Sequence, residues 1–454
     1  MNGTVAAIAT PNAAGGIGIV RISGPEAISV AEKIFRPKGS KKLSDMPGYS
    51  VLFGSVFNGD SPLDQCIAIL YRAPRSYTGE DVVELQCHGG LTLMQLVLRL
   101  VLAAGAEPAG PGEFTKRAFL NGKLDLSEAE SVMDLISAHG EQAANAAFHA
   151  LEGSLSREVR ADADVLVAAS AHMAAWADYP DEDVPALEMD VLIKQYREVR
   201  SKLQDLTSRF DAGQAVTAGI DTVISGRPNV GKSTLMNRLL GRDRSIVTSV
   251  AGTTRDVIEE TARVGNVVLR LSDTAGLHES DDPVESIGIQ MAHKRLSHAD
   301  LILAVFDGNE PLNGQDMQIL EACKGRNSIA VINKTDLGNV ISEEDVSPYV
   351  SAAISISAKD PSCYDRLVEV LENLLGTADF DPGAAMLANE RQLKCVERSI
   401  ACLDEAIEAM ELGLTMDAVT VSTDAALEPL LEITGEKVSD TVIEQVFERF
   451  CVGK

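Results

Sequence analysis

Residues Gly226, Arg227, Pro228, Asn229, Val230, Gly231, Lys232 and Ser233 bring together the groups that hold a polyphosphate. Glycines let backbone N–H groups approach phosphate oxygens, and the start of a helix adds its positive dipole end. Lys232 supplies a cation for the β/γ-phosphates, and the Ser233 hydroxyl suits Mg²⁺. Thr234 follows as a small hydroxyl residue. The flanks fit this chemistry: residues 221–225 read as a short buried strand and 234–240 as an amphipathic helix.

A second motif, Asn333, Lys334, Thr335 and Asp336, selects the base. The Asp336 carboxylate can accept two hydrogen bonds from a guanine edge, a donor pattern that adenine lacks. Ser357, Ala358 and Lys359 end another apolar stretch and would pack on the base from the other side. Asp273, Thr274, Ala275 and Gly276 follow an apolar run at 267–272. Asp273 can hold Mg²⁺ through water, and Gly276 can bring its N–H to the γ-phosphate. Continuous apolar runs at 301–306 and 328–332 mark central parallel strands. Asn333 then lies at a strand's C-terminal end, where open α/β sheets bind ligands. The ordered motifs specify a GTP-binding protein with a Ras-like domain.

Leu277 occupies the place where Ras-like GTPases carry a water-orienting Gln, and it cannot hydrogen-bond. The following loop offers His278, Glu279, Asp281, Asp282 and Glu285, with Pro283 among them. No Arg is assignable as a finger. Asn229 and the polar loop Ser249, Val250, Ala251, Gly252, Thr253, Thr254, Arg255 and Asp256 offer oxygens for a monovalent cation. A cation there would neutralise transition-state charge as an Arg does.

The chain has 454 residues, enough for two to four domains. Its 45% hydrophobic content supplies an ordinary globular core. No apolar run reaches the ~20 residues needed to span a bilayer, and the N-terminus lacks the pattern of a signal peptide. Seven scattered Cys without metal-ligand spacing fit a reducing cytoplasm. The net charge of −27 disfavours broad nucleic-acid binding, so any RNA contact needs a local basic patch or a basic partner. Lys116, Arg117 and Lys123, and Arg197, Arg200 and Lys202, are the local basic clusters; each reads first as a solvated helix face.

Strand-like runs with Gly/Pro punctuation over residues 1–120 predict an α+β domain. Helical periodicity follows over 121–213, the GTPase domain over 219–377, and helices again over 380–454. A nucleotide domain with helices on both sides reads as an insertion into one helical domain. The polar loops at 76–90 and 111–126 could bind a small polar ligand or simply turn the chain. Cys451, near the terminal Lys454, could be catalytic or inert.

The phosphate loop, Gly252-Thr-Thr-Arg-Asp256 and Asp273-Thr-Ala-Gly-Leu277 resemble the potassium-activated TrmE-type GTPases. The whole chain, with its N-terminal domain, split helical domain, inserted GTPase and Cys-bearing tail, is similar to the MnmE (TrmE) family of tRNA modification GTPases. That resemblance implies a cytoplasmic homodimer that binds GTP and tRNA and forms a heterotetramer with MnmG, away from any membrane. MnmG would supply FAD and use NADH. The product would be a carboxymethylaminomethyl or aminomethyl group on C5 of the wobble uridine. The N-terminal domain would dimerise and bind 5-formyltetrahydrofolate or a related tetrahydrofolate through Arg21, Glu84, Lys123 and Lys454. Asn229, Thr248, Val250 and Thr253 would hold potassium, Ser233 and Thr254 would hold magnesium, and Glu285 would orient the attacking water. Val follows Cys451 where the family usually has Ile, and Pro283 stands two residues before Glu285.

Two other readings compete. Ribosome-assembly or RNA-chaperone GTPases of the same class carry a basic RNA module after the GTPase domain, whereas the segment after 377 here is acidic and helical. A nucleotide-switched scaffold would leave Cys451 and the N-terminal loops passive.

Overall fold

The computed structural model describes residues 3–178, 188–242, 260–271 and 299–454. They form two compact units, Met1–Met133 with Leu427–Lys454, and Asp134–Ala426. The second boundary falls inside the helix Met416–Thr434, so the sequence segment 380–454 is shared between the units.

The first unit holds seven strands: β1 (Val5–Ile8), β2 (Gly18–Ser23), β3 (Phe35–Pro37), β4 (Ser50–Asn58), β5 (Ser61–Tyr71), β6 (Val82–Cys87) and β7 (Glu107–Pro108). They make one sheet in the order β3-β4-β5-β6-β2-β1-β7. Alternation along β2 buries Val20 and Ile22 in the core and leaves Arg21 on the other face. Antiparallel pairing of β2 with β6 sets Arg21 opposite Glu84. The helices Ala27–Ile34 and Leu91–Ala103 cover the core face with Val30, Ala31, Val97 and Val101. The end of the chain is sewn to this unit. Gly112 N donates to Cys451 O at 3.3 Å, and Phe114 N to Lys454 O at 3.1 Å. Gly453 has φ +102°, and a Cβ there would run into the Ile8 carbonyl, so only glycine lets the tail lie this close to β1.

The second unit contains a six-stranded sheet, β8 (Ile220–Ser225), β9 (Glu260–Val264), β10 (Val267–Leu271), β11 (Leu301–Asp307), β12 (Ser328–Asn333) and β13 (Ala352–Ser355). The order is β13-β12-β11-β8-β10-β9, with every pair parallel except β9 and β10. Every residue of β11 and β12 is buried, as continuous apolar runs between two covered faces require. Helices from both sides of this sheet in sequence pack together. Arg200 pairs with Asp404 and Arg197 with Glu411, joining Met189–Ser208 to Glu390–Glu411. Tyr196 Oη meets Thr423 Oγ1 at 2.8 Å inside the bundle. Gln214 Nε2 donates to Ala388 O at 2.6 Å, tying the segment entering the sheet to the one leaving it. The Ras-like domain is thus an insertion that splits one helical domain. No helix among the described residues is long and apolar enough to cross a membrane.

Candidate nucleotide site and the N-terminal polar cluster

The phosphate loop links the C-terminal end of β8 to the helix Lys232–Arg242. Two of its residues need glycine. Gly226 has φ +158°, and a Cβ would meet the Val305 carbonyl; Gly231 has φ +104°, and a Cβ would strike the Asn333 amide. Asn229 adopts the left-handed φ of 64° in the exposed arc between them, a conformation Asn tolerates better than most residues. Lys232 Nζ donates to Gly226 O at 2.8 Å and Arg227 O at 2.7 Å, which holds the ammonium across the loop. Burial pushes this lysine below its ordinary pKa. Ser233 and Thr234 are exposed on the first helical turn.

The Asn-Lys-Thr-Asp and Ser-Ala-Lys motifs converge on the same place. Asn333 Nδ2 donates to Val230 O at 2.8 Å, and Asn333 Oδ1 accepts from Ala358 N at 2.8 Å. One buried amide therefore joins the phosphate loop, the Asn-Lys-Thr-Asp motif and the Ser-Ala-Lys motif. Asp336 is exposed and accepts from Ser357 Oγ at 2.7 Å. That hydroxyl is the main reason its carboxyl sits below the usual carboxylate range. Lys334, at φ 66°, donates through Nζ to Asp307 Oδ2 at 2.6 Å. Burial pushes the Asp307 carboxyl up, but hydrogen bonds from Lys334 and Asn309 outweigh it and hold the group down. Arg238 Nη2 donates to Lys359 O at 2.9 Å and so braces the last motif from the phosphate-loop helix.

In the first unit, Arg21 Nε donates to Glu84 Oε1 at 2.8 Å. The Arg21 guanidinium lies 5.4 Å from the Phe114 ring centre and 5.8 Å from that of Tyr77. Its Nη1 reaches Gly453 O at 3.5 Å, next to Lys454. Burial, then the Arg21 charge, lowers the Lys454 ammonium below the ordinary lysine value, with Glu84 opposing. Arg21, Glu84 and Lys454 therefore form one electrostatic group. Lys123 sits on the neighbouring loop, its Nζ 3.3 Å from Pro74 O. Cys451 is exposed.

Two family models match this chain: the N-terminus of GTP-binding protein TrmE over residues 4–123, and the MnmE helical domain over 126–451. The tRNA modification GTPase MnmE of Alkaliphilus metalliredigens is 38% identical over 100% of both chains. That of Enterococcus faecalis is 39% identical over 99% of this chain and 98% of its own. The chain belongs to the MnmE family of tRNA modification GTPases. A crystal structure of Aquifex aeolicus Era bound to GDP and aluminium fluoride covers 40% of this chain and 66% of its own, at 27% identity and a TM-score of 0.26.

Several residues that the sequence motifs and the MnmE resemblance place at the site or in its switch loops lie outside the described residues. They are Thr248, Ser249, Val250, Ala251, Gly252, Thr253, Thr254, Asp273, Thr274, Ala275, Gly276, Leu277 and Glu285. The structure adds residues that the motifs do not announce: Asp307 beneath Lys334, Arg238 behind Lys359, and Phe114 and Tyr77 around Arg21. For Asp307 a signal existed, since an acid closes the apolar run of β11 at its C-terminal end. The aromatic partners of Arg21 lie in the polar loops 76–90 and 111–126, but nothing local pairs them with Arg21, since Phe114 is 93 positions away in sequence.

Proposed function

We propose that this MnmE-family chain couples GTP hydrolysis to modification of C5 of the wobble uridine in certain tRNAs. It works with MnmG, which brings FAD and uses NADH, and it takes its one-carbon unit from a tetrahydrofolate. The observation that carries the reading is the likeness along the whole chain at 38–39% identity, with an intact phosphate loop and Asn-Lys-Thr-Asp motif.

In the nucleotide domain, backbone N–H groups of Val230, Gly231, Lys232 and Ser233 cradle the phosphates, and Lys232 adds charge. The Ser233 hydroxyl, exposed on the first helical turn, is a hard oxygen donor of the kind Mg²⁺ takes, and Thr254 completes that pair. The Asn229 amide oxygen, on an exposed left-handed residue, suits K⁺, with Thr248, Val250 and Thr253 as the other donors. Bound cations would neutralise charge on the transferring phosphoryl group. Glu285 orients the attacking water in place of the Gln that Leu277 replaces. The Arg21, Glu84 and Lys454 group, with Lys123 at its flank, presents both charge signs beside aromatic rings. That chemistry fits the pterin and glutamate parts of a folate. Val51, Phe53 and Ile67, exposed on paired strands β4 and β5, support a homodimer through the N-terminal domain.

The test is the GTPase rate of the purified chain in potassium and in sodium at equal ionic strength, followed by nucleoside analysis of tRNA treated with MnmG. Strong potassium stimulation and appearance of the modified uridine are expected. Equal low rates in both salts remove the cation loop, and unmodified tRNA in the presence of MnmG removes the enzyme reading in favour of a scaffold.

A further inference from the structure

We infer that Asp316 is a positioning residue for nucleotide binding, acting on the phosphate loop through Arg227. The inference rests on the GTPase reading above and concerns a residue outside every nucleotide motif.

Asp316 lies in the first turn of the helix Gly314–Cys323 and is 1% exposed. Its two carboxylate oxygens have different partners. Oδ2 accepts from Asn313 N at 3.0 Å, which closes the capping box that starts the helix. Oδ1 accepts from Arg227 Nε at 2.8 Å. Asp316 therefore ties a helix start to the second residue of the phosphate loop, 89 positions earlier. Glu310 accepts from Nη2 of the same guanidinium at 3.2 Å.

This anchor matters because of what the Arg227 backbone does. Its carbonyl accepts from Lys232 Nζ at 2.7 Å, so the side chain fixed by Asp316 belongs to one of the two residues, with Gly226, that orient the phosphate-binding lysine. Asn229 adopts a left-handed backbone angle, Gly226 has φ +158°, and Pro228 contributes no N–H. A loop of that composition has few backbone hydrogen bonds of its own to define its path. A buried, charge-assisted hydrogen bond supplies the missing constraint. A helix cap alone would need Oδ2 only. The Arg227 bond gives Asp316 its second role.

Asp316→Asn separates the roles. An amide keeps the shape but presents one acceptor and one donor group, so it cannot accept from both Asn313 N and Arg227 Nε. Arg227→Lys is the complementary change, because it keeps the charge and leaves the helix cap untouched while losing the planar fork. The experiment is stopped-flow release of a fluorescent GDP analogue from the full chain, alongside thermal unfolding and competition by guanine and xanthine nucleotides. Both variants should release nucleotide about tenfold faster, corresponding to ~1.4 kcal/mol, with the preference for guanine over xanthine unchanged. A merely structural Asp316 would lower the unfolding temperature and leave release within twofold of the parent chain, which would overturn the inference. If Asp316→Asn does not fold, Arg227→Lys decides by the same two thresholds. A parent chain that binds no guanine nucleotide removes the GTPase reading, and the inference with it.

Discussion

Asn333 and Val230 stand 103 positions apart and are joined by a 2.8 Å hydrogen bond from the Asn333 amide to the Val230 carbonyl. The same side chain accepts from Ala358 N. Asn333 is 3% exposed, so its amide serves as a buried clamp between the phosphate loop and the Asn-Lys-Thr-Asp and Ser-Ala-Lys motifs. One side chain therefore ties the loop proposed to take phosphate to the two motifs proposed to take the base.

Asn333→Ala should strip both loops of that clamp. The Val230 carbonyl and the Ala358 N–H would each lose a buried partner, at about 1–3 kcal/mol apiece. The expected result is a lower unfolding temperature together with weakened binding of GDP and GTP alike. Both are read from thermal unfolding and from titration with a fluorescent nucleotide. Normal nucleotide affinity in a folded variant would show that the clamp is dispensable.

Asp336→Asn changes an acceptor into a group that also donates. Guanine presents donors to this residue, whereas xanthine presents a carbonyl oxygen at C2, so preference should move from guanosine to xanthosine nucleotides. Competition binding measures it, and an unchanged preference would place base selection elsewhere. The pH sense follows from the same residue. Ser357 holds the Asp336 carboxyl below its ordinary value. The carboxylate, and any contribution it makes, is thus present above the ordinary carboxylate range and is lost only as pH falls through the depressed folded value. Guanine preference should therefore stay flat from neutral pH down to that acidic range.

How far the site can be read from residues alone depends on the range of the interaction. The runs Leu301–Asp307 and Ser328–Asn333 are legible as strands because a fully covered parallel strand needs apolar residues on both faces. The phosphate loop is legible because its glycines, lysine and serine are consecutive. The motif alone assigns Asn333 to the nucleotide, and nothing local in it points to Val230 or Ala358. Likewise Asn313 and Asp316 carry the spacing of a helix cap, but the bond from Asp316 to Arg227 depends on how β8 and β11 lie side by side. Arg21 and Glu84 come together through the β2–β6 register, and the tail reaches them only because Gly453 can pass close to β1. Such pairings are set by the packed sheet, after local pattern has done its part.

Glu285→Ala tests the replacement for the missing Gln. Leu277 has no polar atom to hold a water. If Glu285 does so, the variant should lose potassium-stimulated hydrolysis by 10²-fold or more, on the order of a general base's contribution. Its affinity for GTP should remain, since the phosphate contacts come from the Gly226–Ser233 loop. Single-turnover hydrolysis and equilibrium binding give the two halves of the result. A normal turnover rate would transfer the role to another group in the 278–285 loop.

Arg21→Lys isolates ligand recognition from folding in the N-terminal unit. Truncating Arg21 to Ala would leave the Glu84 carboxylate, whose side chain is 11% exposed, without its hydrogen-bonded cation. Breaking a partly buried pair in that way destabilises the fold by itself, so loss of ligand in Arg21→Ala would be open to trivial explanation. Lysine keeps the positive charge beside Glu84 but loses the flat guanidinium that lies over Phe114 and Tyr77. The lysine variant should stay folded and bind 5-formyltetrahydrofolate at least tenfold more weakly by calorimetry, a loss of ~1.4 kcal/mol. Unchanged affinity would move the folate pocket away from Arg21. Retained folding with lost binding would tie the ligand to the planar guanidinium at the junction of β2, β6 and the tail.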